Sequence, residues 1–207
     1  MSFIVVINPK GGAGKSTLST NIAGYLASQG HAVRLGDADP QKSSSLWLSL
    51  RPAHAHPIAE WKVDPDDLAK PPKEAGHVVL DTPAGLSGRA LKDVLKMADK
   101  VVVPLQASIF DMYATRDFLD TLAKSRHADR LDVGIVGMRV DERTLAAEQF
   151  SHFVSGLDLP LVGTLRDTQN YVHLAVGGLS VFDVHTSRTE RDLAQWQSIC
   201  QWLSQAV

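Results

Sequence analysis

The 207-residue sequence is poor in several things, and each shortage excludes a class of protein. A single cysteine, Cys200, leaves no disulfide framework and no cysteine-rich zinc or iron–sulfur site within one chain, and it suits a reducing cytoplasm. No apolar run approaches the roughly 20 residues that cross a bilayer. The opening run Phe3 to Ile7 has no basic region before it and no small-residue cleavage site after it, so it reads as a strand and not as a signal peptide. The formal net charge of −2 shows no global excess of basic residues, so any contact with DNA must come from a local patch. Internal repeats and low-complexity tracts are absent too. What is present is a chain 44% hydrophobic, enough for one core, and a single domain over 1–207 is expected.

The apolar pattern alternates between two periods. Phe3 to Ile7 is unbroken and β-branched, as a strand buried on both faces of a parallel sheet requires. Leu18, Ile22, Ala23, Tyr25 and Leu26 then recur at helical spacing within 16–29, and Gly30 stands where a helix ends. Further strands are expected at 31–36, 77–80, 100–105, 132–136 and 159–164. Helices are expected around Leu46 to Leu48 and at 90–97, 110–123, 144–156 and 189–206. The 110–123 helix carries Phe110, Tyr113, Ala114, Phe118 and Leu122 along one side. Residues 51–76, with five prolines, read as irregular surface structure around a short piece at 58–63. Strands alternating with helices predict an α/β fold, a doubly wound and mainly parallel sheet flanked by helices.

Between the first strand and the first helix lies Lys10-Gly11-Gly12-Ala13-Gly14-Lys15-Ser16-Thr17. Glycines let a backbone curl so that successive N–H groups and the helix N-terminus face phosphate oxygens. Lys15 is placed to reach the β- and γ-phosphates, and the Ser16 hydroxyl to ligate Mg²⁺. A glycine-rich turn with an incidental lysine is the plain alternative, and the flanking strand and helix speak against it. The usual phosphate-loop pattern would put glycine at position 9; Pro9 stands there, and an extra lysine, Lys10, follows it.

Two carboxylates, Asp37 and Asp39, end the second strand, where open α/β sheets place their ligands. Asp81 ends the buried run from His77 to Leu80, an arrangement that holds Mg²⁺ through water in phosphate-loop ATPases. Thr82 to Gly85 follows as a candidate switch segment.

The loop with Lys10, then Asp37-x-Asp39-Pro40-Gln41, then Asp81-Thr82-Pro83, resembles the ParA/MinD ATPases with their deviant phosphate loop, and most nearly the short, ParF-like partition ATPases. The likeness runs over nearly the full length. It implies MgATP as cofactor and a homodimer in the ATP state, with Lys10 crossing the interface to the partner's nucleotide. It implies Asp39 as the carboxylate that orients the attacking water, and Asp37 as a support for the magnesium shell or the loop. Partition of DNA, non-specific DNA binding by the ATP dimer, nucleoid association and a small partner protein that stimulates slow hydrolysis are further implications. Positioning of a protein cargo, or a division regulator of the MinD kind, is the alternative.

The family usually carries Asn-Arg after the fifth strand for adenine, whereas here Met138 precedes Arg139. Arg139 therefore remains a nucleotide candidate, with backbone groups at 164–167 as the other. An Asn-Lys-x-Asp signature for guanine is absent. Candidate DNA contacts are Lys124, Arg126, Arg130, Arg139, Arg143, Arg166, Arg188 and Arg191. The tail carries Leu193, Trp196, Ile199, Trp202 and Leu203 at helical spacing with no basic residue after Arg191, which predicts a core-packing helix and no membrane anchor. A metal-cluster carrier would need bridging cysteines that Cys200 alone does not supply.

Overall fold

A computed structural model describes residues 1–63, 71, 76–125 and 127–205. Seven strands form one all-parallel sheet: β1 (Phe3–Val6), β2 (Val33–Asp37), β3 (Ala59–Trp61), β4 (His77–Asp81), β5 (Lys100–Gln106), β6 (Asp132–Met138) and β7 (Leu161–Leu165). Their spatial order is β3-β2-β4-β1-β5-β6-β7. The helices are α1 (Lys15–Ser28), α2 (Ser43–Ser49), α3 (Gly88–Met97), α4 (Ile109–Ala123), α5 (Leu145–Ser155), α6 (Asn170–Val176) and α7 (Glu190–Ser204).

Alternation along β1 divides the core in two. Phe3, Val5 and Ile7 join Leu91, Val94, Phe118, Leu122 and Phe150 on one face of the sheet, where α3, α4 and α5 pack. Ile4 and Val6 join Leu18, Ile22, Trp47, Trp196 and Ile199 on the other, where α1, α2 and α7 pack. Each β1 side chain is thus consumed by one layer or the other, which is why the run could be unbroken.

The tail helix does go into the core: Trp196, Ile199, Trp202 and Leu203 are buried. Trp202 also lies beneath the Lys100 ammonium, 4.5 Å from its ring centroid, and donates Nε1 to Asp132 Oδ1 at 3.2 Å. Asp132 in turn pairs with Lys100 at 2.5 Å, so a wholly buried lysine is matched to a carboxylate and an aromatic face. No described helix is long and apolar enough to cross a membrane.

Three expectations are corrected. Within 51–76 the piece around 58–63 holds a true strand: β3 pairs in parallel with β2, and Trp61 is buried with its ring edge-on to Phe3 at 5.7 Å. Three residues are too few for a periodic signal, and the surrounding prolines masked it. Residues 64–70 and 72–75 of that segment lie outside the described ones. Helix α6 stands where the sequence predicts no element. Helix α4 buries only the C-terminal half of the expected stripe: Phe118 and Leu122 point inward, with Met112, Thr115 and Leu119 beside them, while Phe110 and Tyr113 are exposed.

Candidate functional site

The loop between β1 and α1 is shaped by left-handed glycines. Gly12 has φ 76° and Gly14 has φ 97°, values that L side chains adopt only under strain. Gly14 is also short of room, since a Cβ there would lie 2.7 Å from the Met138 methyl. Asn8 fixes the loop's start. It is buried, donates Nδ2 to Pro104 O (2.6 Å) and to Thr115 Oγ1 (3.1 Å), and accepts from the Lys10 N–H at 2.8 Å. Gln106 Nε2 donates to Gly12 O at 2.8 Å. The loop is thereby tied to β5 and α4, elements far away in sequence.

The two loop lysines sit differently. Lys15 is buried, and its ammonium donates to Lys10 O at 2.9 Å. Burial lowers its pKa, opposed by the carboxylates of Asp81 and then Asp39. Lys10 is half-exposed, does not line its own chain's cleft, and directs its ammonium to Asp111 at 4.0 Å.

The carboxylates divide as well. Asp37 is buried and accepts from the N–H groups of Asp39 (3.0 Å) and Ser45 (2.9 Å), while Lys42 Nζ donates to its carbonyl at 2.7 Å. Both of its oxygens thus organise the turn and the start of α2, an Asx-type geometry. Asp39 instead lines the cleft, with Oδ1 accepting from Gln41 N at 2.8 Å. Asp81 is wholly buried beneath Lys15 and Ser16. Ser44 Oγ donates to its Oδ2 at 2.7 Å, and Oδ1 has no donor of ordinary hydrogen-bond geometry. Burial pushes its pKa up to about 6, against the nearby hydroxyls of Ser16 and Ser44 and with the help of Asp37. A buried carboxylate oxygen without a donor, next to a serine hydroxyl at a phosphate loop, suits a hydrated divalent cation. Ser16, Asp81 and, through the turn it holds, Asp37 are the groups that would support it.

Two adjoining cavities form one trough. The first, about 580 Å³, is walled by Gly11 to Thr17 less Ala13, by Asp39 to Gln41 and by Pro83 and Ala84. The second, about 560 Å³, is walled by Trp47 and Leu50 of the α2 segment, Met138, and Tyr171 and Val172 of α6. Gly14, Thr17, Ser43 and Arg139 line both. Arg139 is itself in the left-handed region (φ 53°) and faces Asp167 at 3.8 Å across an open rim. The candidate switch segment, 82–85, reaches the loop directly, Gly85 N donating to Pro9 O at 3.0 Å, with Thr82 Oγ1 donating to Val6 O at 2.8 Å.

Sequence reading missed the second cavity's frame. Arg51 makes a bidentate, buried pair with Asp183 (3.0 and 2.7 Å), donates to Gly178 O, and lies over the Trp47 ring at 5.0 Å. Trp47 Nε1 donates to Leu179 O at 3.2 Å, and Asn21 Oδ1 accepts from Val181 N at 2.9 Å. A lone arginine in a proline-rich stretch carries no signal of this in the sequence.

Several candidate DNA contacts are already engaged. Arg130 caps the end of α3 through Leu95 O and Ala98 O, Arg166 pairs with buried Asp192 at 2.6 Å, and Arg143 pairs with Asp141 at 3.0 Å. Lys124, Arg188 and Arg191 are exposed, and Arg126 lies outside the described residues.

A family model described as the CobQ/CobB/MinD/ParA nucleotide binding domain matches residues 4–181. The carboxysome distribution maintenance protein A of Halothiobacillus neapolitanus is 27% identical over 195 residues, 87% of each chain. The chromosome-partitioning ATPase Soj of Thermus thermophilus is 32% identical over 181 residues, covering 70% of this chain and 72% of its own. Among solved structures, apo McdA of Cyanthece has a TM-score of 0.77 at 17% identity, over 99% of this chain and 100% of that one. MinD of Pyrococcus horikoshii complexed with Mg-ADP has a TM-score of 0.71, also at 17% identity, over 99% and 96%. At those identities the two structures show a shared fold.

Proposed function

The chain belongs to the CobQ/CobB/MinD/ParA nucleotide-binding family, and on that premise we propose that it is an ATPase that dimerises on binding MgATP and hydrolyses it slowly. The observation that carries this reading is the split between its two loop lysines: Lys15 is held at its own cleft, whereas Lys10 stands outside it, available to a second chain.

In this reading the phosphates lie along the N–H groups of Gly11 to Thr17, at the N-terminus of α1, with Lys15 swinging from Lys10 O onto them. Mg²⁺, when bound, neutralises phosphate charge, and Ser16 and Asp81 would hold it. Asp39, the carboxylate that lines the cleft, orients the attacking water, and Asp37 keeps Asp39 in place through its N–H. Lys10 of the second chain meets charge that develops on the transferring phosphoryl group. The base occupies the second cavity, beside Met138 and Arg139.

The biological output we propose is partition of DNA, with the ATP dimer binding DNA without sequence preference and a small partner protein accelerating hydrolysis. Among the described candidates, Lys124, Arg188 and Arg191 are exposed and open to phosphate contacts. Positioning of a protein cargo is the second reading, favoured by the likeness to the carboxysome distribution protein over 87% of both chains.

An Asp39→Ala variant should bind ATP and dimerise with turnover reduced at least about 100-fold, the usual scale for removing a positioned carboxylate. Lys10→Ala should bind ATP and lose both dimerisation and turnover. Normal hydrolysis by Asp39→Ala would overturn the assignment of the water-orienting group. Pelleting with DNA in ATP, and its steep loss between low and moderate salt, separates the partition reading from a cargo system that does not use DNA.

A further inference from the structure

Two side chains hold carbonyl oxygens of the phosphate loop, and nucleotide binding affects them differently. Lys15 donates to Lys10 O at 2.9 Å, a contact it gives up when it swings onto the phosphates as proposed above. Gln106 donates Nε2 to Gly12 O at 2.8 Å from the end of β5, 94 residues further along the chain. It does not line the first cavity, so phosphates placed there do not displace it. Gln106 is therefore the brace that stays when Lys15 leaves. Its own footing is fixed: it pairs in register with Met138 of β6, whose methyl closes on Gly14, so the ends of two adjacent strands back the loop.

The peptide between Gly12 and Ala13 is what this brace controls. A trans peptide is planar, with its C=O and N–H pointing in opposite directions, so a donor on Gly12 O sends the Ala13 N–H the other way. Gly12, with φ 76°, has no Cβ to resist rotation of that plane. Turned by half a rotation, the plane would present a carbonyl oxygen to the phosphates where an N–H is needed. The N–H groups of Gly11, Gly12, Ala13 and Gly14 have no acceptor among the described residues, so nothing on the N–H side fixes the plane. The hydrogen bond from Gln106 does so from the carbonyl side.

We propose that Gln106 is a positioning residue for polyphosphate: by holding Gly12 O it aims the Ala13 N–H at the bound phosphates, and it touches no part of the nucleotide itself. The inference rests on the nucleotide binding proposed above and adds to that site a residue from outside the loop.

The test uses the full chain with Mg²⁺, titrated by calorimetry with ATP and with inorganic triphosphate, which has no base. Gln106→Leu keeps the bulk of the side chain and removes its donor; Gln106→Glu keeps the length and sets an acceptor against Gly12 O. Both variants should keep the wild-type circular dichroism spectrum and bind ATP and triphosphate alike at least about fivefold more weakly, the scale of one lost hydrogen bond. In a ¹⁵N-labelled chain the Ala13 amide proton should move downfield when triphosphate saturates the wild type, and by less than half as much in saturated Gln106→Leu. Wild-type affinity for triphosphate in Gln106→Leu overturns the inference, as does an undiminished Ala13 shift. A loss confined to ATP overturns it too, because it would set Gln106 against the base. A wild-type chain that binds neither ligand overturns the proposed function and this inference with it, whereas the other adverse outcomes leave that function standing.

Discussion

The two ends of the trough are built on different principles. The end at the phosphate loop is built around one stretch, Gly11 to Thr17, shaped by left-handed glycines, with Asp39 to Gln41, Pro83 and Ala84 as its outer wall. The other end, where the base is proposed to lie, is assembled from α2, the end of β6 and α6, segments up to about 130 residues apart, and the stretch after α6 is clamped by Arg51, Trp47 and Asn21. A local device tolerates change in the rest of the fold. One assembled from distant parts depends on its clamps, and the contrast can be tested by breaking each end separately.

The largest effect is expected at a clamp. Arg51→Met leaves Asp183 buried without its cation, and loss of one partner of a buried pair costs about 3–5 kcal/mol. At the usual scaling for a chain of this length this lowers Tm by about 10 °C, measurable by calorimetry. The same variant should lose affinity for ATP but little for inorganic triphosphate, because the phosphate end is intact. Equal losses for both would dissolve the distinction between the two ends.

Next comes Lys15→Ala, which removes a charge-assisted contact worth about 1.5–3 kcal/mol. ATP and triphosphate should here fall together, by roughly 10- to 100-fold in a calorimetric titration.

A smaller effect concerns selectivity. Met138 offers the base a thioether, which reads no hydrogen-bonding edge. Met138→Asn supplies a side chain that can pair with adenine's N6 and N7, a contact worth about 1–3 kcal/mol of discrimination. The ratio of GTP to ATP dissociation constants should rise accordingly, by at least about fivefold. No rise would place base recognition on the backbone at 164–167.

The smallest prediction lies at the far end of the sheet and serves as a control. His77 stacks on His31 with ring centroids 4.7 Å apart, and burial, His31 and the chain's amino terminus lower its pKa. A base whose folded pKa is depressed keeps full stability above its unfolded pKa, near 6.5, and loses stability as pH falls below it, because only the unfolded chain protonates readily. Tm should therefore decline from pH 7 to pH 5 less steeply in His77→Gln, with ATP affinity at pH 7 unchanged.

How legible each part was in the sequence follows the same contrast. The loop, Asp39 and Asp81 could be found because strand ends and glycine-rich turns announce themselves within a few residues. For Asp37 the sequence left two supporting roles open, the magnesium shell or the loop, because the N–H groups of Asp39 and Ser45 that take up both its oxygens are not revealed by spacing. Helix α4 shows the limit of periodicity. Residues 110, 113, 114, 118 and 122 form a regular apolar stripe, yet only 118 and 122 of it are buried, beside Met112, Thr115 and Leu119. Thr115, a polar residue that periodicity would place outside, is inside because Asn8 donates to it.

What the sequence by itself determined is the alternation of elements, the parallel sheet and the phosphate loop with its second lysine, because each depends on the chemistry of neighbours along the chain. Only the tertiary structure decided where Lys10 points, which face of α4 stays exposed and what encloses the second cavity. Those outcomes depend on contacts such as Asn8 with Thr115, Lys10 with Asp111 and Arg51 with Asp183, whose partners lie about 100 residues apart and leave no trace in any local pattern.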